Sequence, residues 1–188
     1  MKWLLILIFC IPSLGAYAQE NANPYDIQIS TRLIDGRFQI DASYTVPINI
    51  CNAYAFITSY ESAKYIPGIL ESRVISRAGN KVRVYRRVEE QVLFFSIEMK
   101  SVIEYTEVSN RLLTFEQISG DTKFYKGTWS LFPGKDTTTF KYESLVEPQS
   151  LIPSAVIEYF MKSILRERFE LMAQRARENK APETLACK

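Results

Sequence analysis

The sequence contains no histidine. That absence removes Ser-His-Asp and Cys-His catalysis, His-ligated metal sites and a neutral-pH imidazole base. A phosphate-cradling glycine-rich loop, a CxxC pair and an EF-hand pattern are missing as well. Cysteine is scarce, three in 188 residues, and Cys10 falls in a leader, so a cysteine-rich metal site is excluded. Neither a metal nor a cofactor is expected. Beyond the leader no apolar run approaches the roughly 20 residues that span a bilayer. Charge of one sign is also lacking. Losing Lys2 with the leader leaves 22 basic against 21 acidic side chains, which gives no electrostatic case for nucleic acid.

What is present begins with that leader. Lys2 supplies a positive n-region, residues 3–14 an apolar stretch, and Ala16-Tyr17-Ala18 a small-x-small cleavage site before Gln19. Residues 1–18 therefore read as a secretory signal, and the protein as exported, periplasmic or secreted. Phe9 stands where a lipoprotein anchor at Cys10 would need a small residue. The remaining chain, about 170 residues, suits one domain with a sizeable core. Cys51 and Cys187 survive cleavage in a compartment that permits disulfides, but sequence separation says nothing of proximity and their pairing stays open.

Along the mature chain, residues 19–36 hold a polar linker and an apolar segment at 27–34, which Asp35-Gly36 joins to a strand at 37–46 in a favourable two-residue hairpin turn. Pro47 ends that strand. Asn49 is an N-cap for a short helix running to Ser59, and a further helical turn at 60–65 stops before Pro67-Gly68. From Leu70 the apolar period switches to two, with turn signals at 78–80, 109–110, 120–121 and 133–134. Six strands follow at 70–77, 81–90, 93–105, 111–119, 124–132 and 137–147, and their short connections make an antiparallel meander the simplest topology. The final segment, 154–178, has no glycine or proline, and a helical projection puts Val156, Ile157, Phe160, Met161, Ile164, Leu165, Leu171 and Met172 on one side. That side needs a large apolar partner, which the strands offer: Val82, Val84 and Val88, Phe95, Ile97 and Met99, Gly127, Trp129 and Leu131, and Phe140 and Tyr142 all share the apolar face.

Polar groups on that face carry the chemical interest. Arg86 lies between Val84 and Val88, Gln117 follows Phe115, and Tyr142 follows Phe140. A buried guanidinium needs an acceptor or costs several kcal/mol, so Arg86 either meets a polar ligand head or snorkels to water at the strand end. Arg168 projects into the apolar arc of the terminal helix and reads as a structural ion pair or a residue at a cavity mouth. The carboxylates Glu98 and Glu116 point outward, and Glu89 and Glu90 sit at a hairpin rim, so no two acids are set around a substrate. Lys162, Arg166, Arg168, Arg175 and Arg177 make the terminal helix locally basic, a solvated face with which transient membrane contact is compatible.

The order of these elements resembles the START-like superfamily, also described as polyketide cyclase, Bet v 1-like or SRPBCC proteins, and in particular its bacterial lipid-transport and coenzyme Q-binding branches. The resemblance spans 37–178. It is carried by Val46-Pro47 leading into a helix, the run from Tyr60 through Pro67-Gly68 to Ser72 before a basic strand, Gly127-Thr128-Trp129-Ser130-Leu131, and Arg168-Phe169-Glu170 with Ala173-Gln174-Arg175-Ala176. It implies an α+β helix-grip fold, in which a curved seven-stranded antiparallel sheet wraps a long C-terminal helix and two short helices close one end. The segment 27–34 is then an extra edge strand or a loop, and 179–188 a tail. It also implies an elongated apolar cavity between sheet and helix, with Phe56, Tyr60, Val84, Arg86, Phe95, Phe115, Trp129, Phe140, Tyr142, Phe160 and Ile164 as candidate ligand-binding residues. The expected partner is a hydrophobic small molecule, bound rather than transformed. A cyclase, dehydratase or isomerase acting in the same cavity and an interaction module with a collapsed cavity are the alternatives.

Overall fold

The computed structural model describes residues 23–92, 95–149 and 154–178; the leader and the tail lie outside the described residues. Asp35 and Gly36 take φ of 49° and 79°, the mirror-image turn whose twist matches that of the flanking strands. They join β1 (Gln28–Ile34) to β2 (Arg37–Val46), with Ile34 opposite Arg37. Along β2 burial alternates strictly: Phe38, Ile40, Ala42, Tyr44 and Val46 are buried while their neighbours are not. Asn49 caps α1 (Ile50–Thr58), its Oδ1 accepting the Asn52 N–H at 2.8 Å. A 3-10 helix, Tyr60–Tyr65, leads to the meander β3 (Ile69–Ala78), β4 (Lys81–Val92), β5 (Phe95–Val108), β6 (Leu112–Gly120), β7 (Thr122–Pro133) and β8 (Thr138–Pro148). The long helix α2 (Ser154–Glu178) closes the chain.

All pairings are antiparallel, in the spatial order β1-β2-β8-β7-β6-β5-β4-β3. The sheet thus has eight strands rather than seven, because residues 28–34 form a strand on the edge of β2. β2 pairs with β8, so the chain must travel from one side of the sheet to β3 at the far edge, and it does so through α1 and the 3-10 helix. Register shifts within the β3–β4, β5–β6 and β7–β8 pairings supply the irregularities that bend a sheet around a helix.

α2 packs against β1, β2, β4 and α1. Its most buried residues are Phe169, Ala173 and Ala176, with Met161, Leu165 and Met172 packed against them. The buried stripe is therefore rotated from the projected one, which gave weight to Ile157, Ile164 and Leu171. Alanine is weak on a hydropathy scale, yet its small side chain allows a helix backbone to approach a sheet closely. Cys51, 2 % exposed at the start of α1, is disulfide-bonded, to a partner outside the described residues.

Candidate functional site

Between sheet and helix lies a cavity of about 580 Å³. Its floor comes from the concave face of β4 to β8 through Arg86, Tyr105, Leu113, Phe115, Tyr125, Trp129 and Tyr142. α2 contributes Leu165, Phe169 and Met172, and one end is closed by Phe56, Ile57 and Tyr60 from α1 and the 3-10 helix. The aromatic rings interlock. Phe115 stacks on Tyr142 at 5.8 Å, Trp129 leans on Tyr142 at 4.8 Å and meets Phe169 of α2 edge-on at 6.0 Å, and Tyr60 meets Tyr105 at 4.8 Å.

Arg86 is the unusual member of this wall. Its Nε is buried without a hydrogen-bond partner, and its guanidinium carbon stands 5.9 Å from the centre of the Tyr105 ring. The hydroxyls of Tyr125 and Tyr142 lie 3.1 Å apart in a hydrogen bond that either can donate. Burial pushes both phenols above their ordinary pKa; hydrogen bonding with Ser144 and Tyr125 pulls Tyr142 part of the way back, and the Arg86 charge pulls both down more weakly, so both stay protonated donors at neutral pH. This part of the cavity is rich in hydrogen-bond donors, with the buried Ser144 hydroxyl beside Tyr142 as a further polar group lacking a firm partner.

The rim is fastened at two places. Arg168 of α2 grips Glu90 of β4 in a bidentate pair, Nη1 donating to Oε1 at 2.7 Å and Nη2 to Oε2 at 2.8 Å. Gly68 makes room for it: a side chain at 68 would run into the Arg168 guanidinium, and its φ of 84° already favours glycine. On the other side the Tyr60 hydroxyl donates to Glu107 Oε1 at 2.8 Å, and Arg77 binds the same carboxylate at 3.0 and 3.2 Å. That bond and burial both raise the Tyr60 pKa, burial more strongly.

A sequence model of the polyketide cyclase/dehydrase and lipid transport family matches residues 46–172, from the end of β2 to the second half of α2. The chain belongs to that family. Solved structures agree on the fold. The STAR-related lipid transfer protein from Xanthomonas axonopodis is 12% identical with a TM-score of 0.69, the match covering 85% of this chain and 97% of that one. The Zhui aromatase/cyclase from Streptomyces sp. R1128 is 10% identical with a TM-score of 0.63, covering 80% and 99%. Human STARD10 is 9% identical with a TM-score of 0.61, covering 84% and 74%. No curated protein matches the chain by sequence. The helix-grip architecture is thus that of the START-like proteins.

Within this fold the expected ligand-binding residues divide. Phe56, Tyr60, Arg86, Phe115, Trp129 and Tyr142 line the cavity. Val84 and Phe140 are fully buried in the core instead, and Ile164 is not part of the described lining. The side chains of Phe95 and Phe160 lie outside the described residues. Tyr105, Leu113, Tyr125, Leu165, Phe169 and Met172 were not anticipated. Tyr125 was within reach, because it shares strand parity with Trp129 and Leu131; so was Leu113, two residues before Phe115. Of the other polar residues singled out in the sequence, Gln117 is satisfied within the chain by Thr122. Arg168 takes the ion pair at the cavity mouth. Glu98 and Glu116 are exposed on the outer face. Among the described residues no cluster of three or more metal-ligating side chains occurs, and no helix is long and apolar enough to cross a membrane.

Proposed function

We propose that this protein binds or carries a hydrophobic small molecule, lipid, isoprenoid or quinone-like, between the sheet and α2 without transforming it. The observation behind this reading is the cavity of about 580 Å³, a drug-sized volume walled mainly by aromatic and aliphatic side chains, with arginines, serines and tyrosine hydroxyls set among them. Each Å² of apolar ligand surface taken from water there contributes about 25 cal/mol, so an acyl or ring system suffices to drive binding. Membership of a family whose description includes lipid transport supports the same reading.

A cyclase, dehydratase or isomerase reaction is the second reading, favoured by Arg86 and the protonated phenols, which are suited to polarising a carbonyl. It is weaker because Glu178, an exposed residue, is the one carboxylate in the described lining, and acid–base turnover needs a base near the substrate. The leader 1–18 makes the carrier an exported one, periplasmic or secreted. Organic extraction and native mass spectrometry of protein purified from its own host test both points. We expect a co-purified apolar compound and an intact mass lacking residues 1–18. A cavity that yields nothing and takes up no apolar probe would overturn the carrier reading.

A further inference from the structure

Resting on the carrier reading above, we infer that the ligand is an apolar carboxylic acid, its carboxylate held by Arg86 with the Tyr125–Tyr142 hydroxyl pair. Hydrogen-bond donors outnumber acceptors at this end of the cavity. Arg86 carries five N–H groups and no acceptor. It forms no hydrogen bond or ion pair among the described residues, and its Nε is buried, so its charge is left uncompensated inside an aromatic wall. Two other arginines line the cavity: Arg168 is neutralised by Glu90, whereas Arg175, its Nε also buried without a hydrogen-bond partner, lies on α2, 5.5 Å from the half-exposed ring of Tyr65 and away from the strands of the hydroxyl pair.

The two phenols add to the excess. They own two hydroxyl hydrogens and share one hydrogen bond, 3.1 Å long; the second can turn to a ligand oxygen or to the buried, otherwise unpartnered Ser144 hydroxyl beside Tyr142. A head group that only accepts, and carries one negative charge, answers both needs. A carboxylate does so, with two oxygens matched to a guanidinium fork. An alcohol brings a further donor, an ammonium adds a second like charge, and an ester or quinone carbonyl accepts from the guanidinium but leaves its charge uncompensated. The rest of the wall, with Tyr105, Phe115, Trp129, Leu165 and Phe169, accepts either an acyl chain or fused rings. The acidic head is therefore what the structure selects.

Wild-type protein titrated with cis-parinaric acid and its methyl ester, and with pyrenebutyric acid and its methyl ester, tests this without any substitution. At neutral pH we expect at least one acid to bind roughly 10- to 100-fold more tightly than its own ester, the span of a hydrogen bond to a charged group. Arg86→Met should abolish that preference by weakening each acid far more than its own ester, while Arg86→Lys should keep part of it. Acids and esters binding equally to wild type would overturn the carboxylate inference and leave the carrier standing. A preference that survives in Arg86→Met would likewise overturn it, by placing the anion elsewhere. Failure of all four probes to bind would count against the carrier reading itself, and the carboxylate inference would fall with it.

Discussion

The two sides of the space beneath the sheet are built from the same kinds of residue and end up differently. Where β2 and β8 meet, Tyr44 and Phe140 stack at 4.6 Å, both at most 1 % exposed, and no room is left. Toward β4 to β7, Tyr105, Phe115, Tyr125 and Trp129 are no less aromatic, yet they surround about 580 Å³. The difference lies in what α2 presents to each side. Ala173 and Ala176, fully buried, let the helix come close to β1 and β2. On the other side the link to β4 is a pair of long side chains, Arg168 and Glu90, joined end to end. Short side chains close one side and a long ionic strut spans the other, so the cavity is set by the helix as much as by the rings that line it.

The sharpest way to break this comparison is to remove one ring from each side. Phe140→Ala should cost about 3–5 kcal/mol, because every neighbour of that ring is packed against it. Trp129→Ala removes a larger side chain but should cost only about 2 kcal/mol, since part of the indole already faces unfilled space. Urea unfolding of both variants gives the two numbers. A greater loss at Trp129 than at Phe140 would mean that the two sides are equally packed.

Smaller in effect is an attempt to push the helix away on its close side. Ala173→Leu adds three carbons where none fit and should destabilise by about 1–3 kcal/mol. It should also loosen probe binding, because α2 carries Leu165, Phe169 and Met172 of the cavity wall on the same turns. Full stability together with unchanged affinity would show that α2 does not need alanine there.

Much of this frame was legible in the sequence. The Asp35-Gly36 turn, the alternation in β2 and the uninterrupted segment 154–178 each have a local cause, and each folds as its residues suggest. Which face of a strand is buried could also be read, so Val84, Phe140, Trp129 and Tyr142 were all rightly turned inward. What parity does not encode is how far the helix stands from that face. Val84 and Phe140 share an inward direction with Tyr142, yet they end in packed core while Tyr142 borders the cavity. The stand-off depends on Ala173, Ala176 and the Arg168–Glu90 pair, contacts between distant parts of the chain that no local pattern announces. For β1 the sequence leaves an extra edge strand and a loop both open, for a related reason: its outer residues Leu33 and Ile34 are exposed apolar side chains, so its pattern does not distinguish the two, and the structure makes it the strand.

The smallest expected effect concerns single oxygen atoms, again one on each side. The Tyr44 hydroxyl is buried with no hydrogen-bond partner, whereas the Tyr125 hydroxyl is paired with that of Tyr142. Tyr44→Phe should therefore stabilise the fold by up to about 1 kcal/mol at pH 7, and Tyr125→Phe should destabilise it by a similar amount. Alkaline pH separates the two effects from ordinary packing changes. Burial raises the folded-state pKa of Tyr44, so its neutral form is favoured in the folded protein; that contribution is complete below the unfolded value of about 10 and is lost as pH rises toward the raised folded value. Between pH 10 and 11 wild type should thus lose up to about 1 kcal/mol from this one phenol, a loss Tyr44→Phe escapes. Urea midpoints at pH 7, 10 and 11 read out both effects. A clear loss of stability at pH 7 in Tyr44→Phe would show that the hydroxyl has a partner, and that the packed side, like the cavity side, is held by a polar contact.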